Sequence, residues 1–227
     1  MFAPSGRRSS VDNVEDPAAV APQRIDPARK KVADDAKGFM PEDEAEALYD
    51  AAWAMAPYGP ILEVGTYCGK SATWLGAAAS IRGGRVVTID HHRGSEENQA
   101  GWEHHDAELV DPTTEKMDTL PFFRRTMYAA GLEDVVTAII AKSTAAAKLW
   151  STPLAMLFVD GGHAEEHAQA DYRNWSGFVM PDGVLAIHDV FENPDDGGQA
   201  PFHIYQRALA DGFREVRHVG SLRILRR

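Results

Sequence analysis

Apolar positions recur along this chain in two alternating rhythms. Short apolar runs at residues 61–64, 86–89, 135–140 and 155–159 have the length and branched character of buried parallel strands, and a fifth covers 183–187. Between them lie stretches with helical spacing at 71–80, 120–130 and 163–178, where Ala168, Tyr172 and Trp175 share one face. Ahead of the first strand, residues 42–55 place Leu48, Ala52 and Met55 on one face behind an acidic first turn, and Pro57 ends that helix. The acids from Glu42 to Glu46 read as a solvated helix start. This alternation predicts an α/β protein built on a doubly wound sheet. Two extended runs at 213–219 and 221–225, separated by Gly220, predict an antiparallel hairpin at the end.

Two stretches break the rhythm. Residues 1–31 are rich in Pro, Ala, Arg and Asp and show no period, which predicts a flexible leader and leaves 32–227 as one domain. Residues 91–118 are polar, acidic and rich in histidine, and too long for a simple crossover; they are expected to form a cap insertion over the strand ends. A chain of 227 residues suits a single α/β domain. Its net charge of −11 argues against nucleic acid as a partner, because a phosphate-backbone binder needs a basic surface. No apolar run approaches a membrane span and no signal-peptide core is present, so the expected location is cytoplasmic with no membrane partner. Cys68, the single cysteine, excludes an intrachain disulfide and a thiolate zinc cluster, and reads as a packing residue.

Ligands of open α/β sheets bind beyond the carboxyl ends of the strands, so the residue that follows each apolar run bears on function. After the first run comes Glu63-Val-Gly65-Thr-Tyr67-Cys-Gly69-Lys-Ser71. Gly65 and Gly69 permit a tight turn and close approach of a ligand, and Glu63 adds a carboxylate. The spacing differs from the G-x-G-x-x-G of dinucleotide sites and suits a positively charged ligand without phosphate. Asp90 follows the second run, about one β-α-β step later, where a carboxylate can accept both hydroxyls of a ribose. Ser143 follows the third and has two readings: a contact to an adenine edge, or the N-cap of a helix over 144–149. The fourth and fifth runs end in Asp160-Gly-Gly-His163 and His188-Asp189. Asp160, His188 and Asp189 on adjacent strand ends would hold one divalent ion, Mg²⁺ or, with an imidazole in the set, Mn²⁺. The competing reading has these side chains capping helices or bonding to loops. His163 has the side chain of a general base that works near neutrality. His91, His92, His104 and His105 match no zinc-finger spacing and are expected to line or cover an acceptor pocket with Trp102, or to stand in solvent.

Taken together, Leu62-Glu-Val-Gly-Thr-Tyr-Cys-Gly-Lys-Ser-Ala72, Thr88-Ile-Asp90, Phe158-Val-Asp160 and Leu185-Ala-Ile-His-Asp-Val190 resemble the class I S-adenosylmethionine-dependent methyltransferases. Within that class the likeness is to the metal-dependent O-methyltransferases, the first segment being similar to the cofactor loop of the catechol enzymes. Asp35-Ala-Lys-Gly38 resembles the segment that lies beside the cofactor in that family. The resemblance implies a Rossmann-like seven-stranded sheet whose last hairpin inserts one antiparallel strand. It also implies S-adenosylmethionine as cofactor, with Glu63, Gly65, Tyr67, Gly69, Ser71, Asp90, Ser143 and Asp160 around it. Asp160 is the first metal ligand of the pattern, and His188 and Asp189 fall where the second and third stand. Two departures matter: the catechol enzymes have Asp then Asn where this chain has His188 then Asp189, and His163 stands in the place of their catalytic Lys. A histidine base with a metal suits a sugar hydroxyl, whose high pKa demands both polarisation and proton removal. The polar insertion and the Ala/Arg/Gly-rich composition resemble the actinobacterial O-methyltransferases of methylmannose polysaccharide synthesis, which implies a short mannoside acceptor. A homodimer is the expected assembly. Two other outcomes are an O-methyltransferase tailoring an antibiotic or polyphenol, and a non-catalytic binder of the same cofactor.

Overall fold

The computed structural model describes residues 20–95, 98, 101, 105–162 and 164–227. His163, Trp102, His104 and most of the expected leader lie outside them. In chain order the elements begin with α1 (Pro27–Asp35), α2 (Glu42–Met55), β1 (Ile61–Val64), α3 (Lys70–Arg82) and β2 (Val86–Asp90). A short antiparallel pair follows, β3 (Val110–Asp111) with β4 (Lys116–Met117), and then α4 (Leu120–Ala130), β5 (Val136–Ile140) and α5 (Ser143–Ala147). The chain finishes with β6 (Leu154–Val159), α6 (Glu165–Trp175), β7 (Val179–Ile187), α7 (Ala200–Ala210), β8 (Arg214–Val219) and β9 (Leu222–Arg226). Their main sheet has seven strands in the order β5-β2-β1-β6-β7-β9-β8. The strands from β5 to β7 are parallel, and β9 runs antiparallel to both β7 and β8. This is the doubly wound α/β sheet with an inserted antiparallel strand that the pattern and the resemblance predict.

Period-two alternation divides the strands between two cores. Ile61, Val86, Met156, Phe158, Val184 and Ala186 pack with α1 to α4 on one face. Leu62, Val64, Leu157, Val159, Leu185 and Ile187 pack with α6 and α7 on the other. Each such buried Val, Leu, Ile, Met or Phe side chain contributes roughly 1.5–3 kcal/mol. Among the described residues no helix is long and apolar enough to cross a membrane.

Three local expectations need correction. Residues 27–31 were expected in the leader but form the start of α1: Asp26 accepts hydrogen bonds from the Ala28 and Arg29 amides at 2.9 and 3.2 Å, and Pro27 fixes the first turn. Arg29 then ties α1 to α3 and α4 through Ser80 Oγ at 2.6 Å and the Ala130 carbonyl at 3.1 Å. The strand expected at 183–187 begins earlier, at Val179, and shifts register against β6 between Leu154 and Met156. Third, α7 occupies a stretch to which the apolar spacing assigns no element. In the stretch after β2, Leu109 and Met117 are buried against Cys68. Burial pushes the Cys68 thiol up to about 12, consistent with packing rather than reactivity.

Candidate active site

The parallel strands all end along one edge, and Gly65 shows how tightly they leave it. A Cβ on Gly65, which has φ 89°, would lie 2.1 Å from the carbonyl oxygen of Asp160 at the end of β6. Only glycine lets β1 and β6 exit side by side here. Asp90 then fixes the turn from the end of β2: its carboxylate accepts the Thr66 and Tyr67 amides at 3.0 and 2.9 Å, and the His92 amide at 2.7 Å.

A cavity of about 410 Å³ opens over these ends. Gly65, Tyr67, Ser71, Asp90, Ser143, Asp160, His188 and Asp189 line it. Glu63 and Gly69 do not. By strand alternation Glu63 points with Ile61 toward α3, fully buried, where it accepts the hydroxyls of Ser71 and Thr88, each at 2.6 Å. Burial pushes its carboxyl up to about 7 against the pull of those two hydroxyls. Glu63 therefore reaches the cavity through Ser71. Gly69, at φ 89°, serves as the left-handed residue that starts α3 beneath it.

At the other end of the cavity, His188 continues the face of Val184 and Ala186 toward α2 and is 4% exposed. Its Nδ1 lies 3.0 Å from Asp160 Oδ1 and 3.3 Å from Asp189 Oδ2. Its Nε2 lies 2.6 Å from Glu44 Oε2. Burial opposes charge on this ring, but Asp160, Asp189 and Glu44 outweigh it, so the His188 pKa rises well above the ordinary value. One ligand atom from each of Asp160, His188 and Asp189 falls within a 4.8 Å cluster. Two carboxylates and an imidazole nitrogen are a donor set that fits Mg²⁺ or Mn²⁺.

Glu44 corrects the reading of the first α2 turn as solvated. It is 3% exposed, because it stands four residues before Leu48 on the same helical face. Burial raises its carboxyl, yet the His188 ring and the Ser221 amide reverse that and hold it below the usual value. Asp171 is a second group that the motifs did not reveal. It lines the cavity from α6, 6% exposed, and accepts a hydrogen bond from Ser143 Oγ. Burial, only partly offset by that hydroxyl, pushes the Asp171 carboxyl up to about 6. Ser143 itself is the first residue of α5, whose N-cap is Lys142 without a side-chain capping bond, so the N-cap reading of Ser143 is replaced. For both Glu44 and Asp171 the available signal was a carboxylate lying on an otherwise apolar helical stripe.

The insertion contributes His91, Gly94, Ser95 and Asn98 to the cavity wall. His92 instead packs in the interior, with Nδ1 2.7 Å from Thr119 Oγ1 and its ring beside Phe123. His105 lies away from the cavity lining, with Nδ1 3.2 Å from the Asn98 carbonyl. Lys37, itself in the cavity lining, bonds Asp106 at 2.5 Å and Glu108 at 2.7 Å. On the rim, Phe39 is 62% exposed and its ring centroid stands 5.9 Å from that of Tyr67.

Residues 62–190 match a family described as a methyltransferase domain. In fold the chain is similar to an O-methyltransferase from Bacillus cereus in complex with SAH, at 18% identity, 92% of this chain, 94% of that chain and a TM-score of 0.60. It is also similar to the O-methyltransferase TomG from Streptomyces achromogenes, involved in tomaymycin synthesis and in complex with SAM, at 18% identity, 92% coverage of both chains and a TM-score of 0.59. A third likeness is to the O-methyltransferase NovP, at 16% identity, 82% of this chain, 79% of that chain and a TM-score of 0.61.

Proposed function

The chain belongs to the methyltransferase domain family matched over residues 62–190, and on that premise we propose that it transfers a methyl group from S-adenosylmethionine to a hydroxyl of a small saccharide, assisted by a divalent cation. The observation that carries this reading is the two-ended cavity. One end has the glycine turn, Asp90 and Ser143; the other has Asp160, His188 and Asp189.

At the first end, Asp90 accepts a ribose hydroxyl on Oδ1, which takes only the His92 amide, while Oδ2 is filled by the Thr66 and Tyr67 amides, and Ser143 meets the adenine side. The Gly65 turn leaves room for the methionine part. S-adenosylmethionine, when bound, supplies an electrophilic methyl on a sulfonium that leaves as a neutral thioether. At the second end Asp160, His188 and Asp189 would hold the cation. A divalent cation there supplies Lewis-acid polarisation of the acceptor hydroxyl. His163, three residues beyond Asp160 in the sequence, takes the hydroxyl proton on a ring nitrogen. Most of the rate acceleration then comes from positioning and charge neutralisation. His91, Ser95 and Asn98 give the wall hydrogen-bonding groups suited to a sugar, which supports a short mannoside of polysaccharide synthesis as the acceptor.

A second acceptor class is favoured by one feature. The Phe39 and Tyr67 rings at the rim would stack on a flat aromatic, as in an antibiotic or polyphenol. Labelled-methyl transfer to mannosides and to phenols, each with and without Mg²⁺ or Mn²⁺, separates the two. Label in a mannoside that disappears with chelator supports the first reading, and label only in phenols replaces it with the second. Cofactor binding without transfer to any hydroxylated acceptor overturns both. Replacing His163→Ala should lower transfer about 10²–10⁴-fold while leaving cofactor affinity intact.

A further inference from the structure

We propose that Glu44 is a positioning residue for the cation site, acting through His188; this rests on the cation reading given above. An imidazole offers a cation one nitrogen, and which nitrogen is free depends on what the other one binds. Here Nε2 points at Glu44 Oε2 across 2.6 Å, an acceptor-only partner when ionised, so Nε2 carries a proton and donates it. In the cation-free protein Nδ1 also faces carboxylates and holds a proton of its own, and with Nε2 committed to Glu44 it is Nδ1 that would give up its proton to a cation. It is the nitrogen that faces Asp160 Oδ1 and Asp189 Oδ2, at 3.0 and 3.3 Å.

Glu44 is itself held. The Ser221 amide donates to Oε1 at 2.5 Å, and the Ser221 hydroxyl lies 3.1 Å from Oε1 and 3.3 Å from Oε2. The Gly220 turn packs so closely that a Cβ there would come within 2.1 Å of Oε1. With Glu44 at 3% and His188 at 4% exposure, little water competes for either group. A carboxylate on α2 thus joins the first long helix and the last hairpin onto one ring nitrogen. Its placement fixes both the tautomer and the ring plane of His188, leaving Asp160 and Asp189 to complete the set.

The test uses the full chain and has two readouts besides turnover. Mn²⁺ affinity is measured by the electron paramagnetic resonance signal of the free ion. Long-range ¹H–¹⁵N spectra of the Mg²⁺-saturated protein report which His188 nitrogen is protonated. The wild type is expected to bind Mn²⁺ and to show a protonated Nε2. Glu44→Gln, which keeps the volume but removes the charge, is expected to weaken Mn²⁺ binding about 10–100-fold. A wild type that binds neither cation overturns the cation reading and this inference with it. Binding by the wild type with equal affinity in folded Glu44→Gln overturns this inference alone and leaves Glu44 a core charge partner. Should the variant fail to fold, the wild-type spectrum decides: a ring protonated at Nδ1 in the cation-bound protein overturns the proposal.

Discussion

Glu63 and Glu44 are the same residue type, both with almost no exposed surface, and their carboxyls move in opposite directions. Glu63 sits among hydroxyls, from Ser71 and Thr88, and is pushed up to about 7. Glu44 sits against the His188 ring and the Ser221 amide and is held below its ordinary value. Glu63 is the more deeply desolvated and the neutral hydroxyls do not repay that loss of water, whereas a cationic ring and a backbone amide together do so for Glu44. Neither glutamate lines the cavity. Each holds a side chain that does, Ser71 at the end of the glycine turn and His188 at the end of the carboxylates.

The strongest challenge to this contrast comes from the end where charge concentrates. Asp160→Ala should lower cation-dependent transfer by on the order of 10³-fold, the scale of losing a preorganised charge at the reacting centre. Donor affinity measured by calorimetry should stay near that of the wild type, and retained activity would sink the cation assignment. Stability gives the next largest effect. Glu44→Leu leaves the buried His188 charge short of a partner and should cost about 3–5 kcal/mol in urea unfolding at neutral pH. Equal losses at Glu44 and Glu63 would erase the distinction between them.

A smaller effect follows from pH. The folded-state pKa of Glu63 lies above its ordinary value of 4.5, so the folded protein binds more protons than the unfolded chain between the two values. The associated stability is fully present below pH 4.5 and is lost as pH rises through about 7. Asp171, pushed up to about 6, adds a loss of the same sign. The difference between wild type and Glu63→Gln should therefore change by on the order of 2–3 kcal/mol from pH 4.5 to pH 8 in cofactor-free protein. A flat difference would mean that Glu63 is ionised throughout. Smallest are the losses at the cofactor end: Asp90→Asn should weaken the donor about tenfold, and Ser143→Ala about fivefold, the range of single hydrogen bonds to charged and neutral groups.

Legibility in the sequence followed the range of the interactions. The glycine turn, Asp90, Asp160 and His188-Asp189 were readable because each follows an apolar run, and a parallel sheet brings all such positions to one edge. Glu63 was placed on the right strand and given the wrong neighbour. Its face depends on whether position 63 shares the side of Ile61 or of Leu62, and that is decided by which core each side builds. The acids of the α2 turn were read as solvated from their position in the helix, although Glu44 lies on the stripe of Leu48 and Ala52. Asp171 follows the same pattern, between Ala168 and Trp175 on the buried side of α6. A carboxylate on an apolar stripe announces an internal partner without naming it.

What the sequence determined alone was the order of the sheet strands and most of the helices between them, the strand-end positions and the turn that only glycine can make, because these rest on periodicity and local sterics. The tertiary structure decided which strand-end groups open onto the cavity and which lie behind it. It also decided the partner of Glu44, 144 positions away in His188. The stripe on which Glu44 lies shows locally that a partner is needed but not which one, since the attraction that offsets the desolvation of both groups exists only once the fold has brought them together.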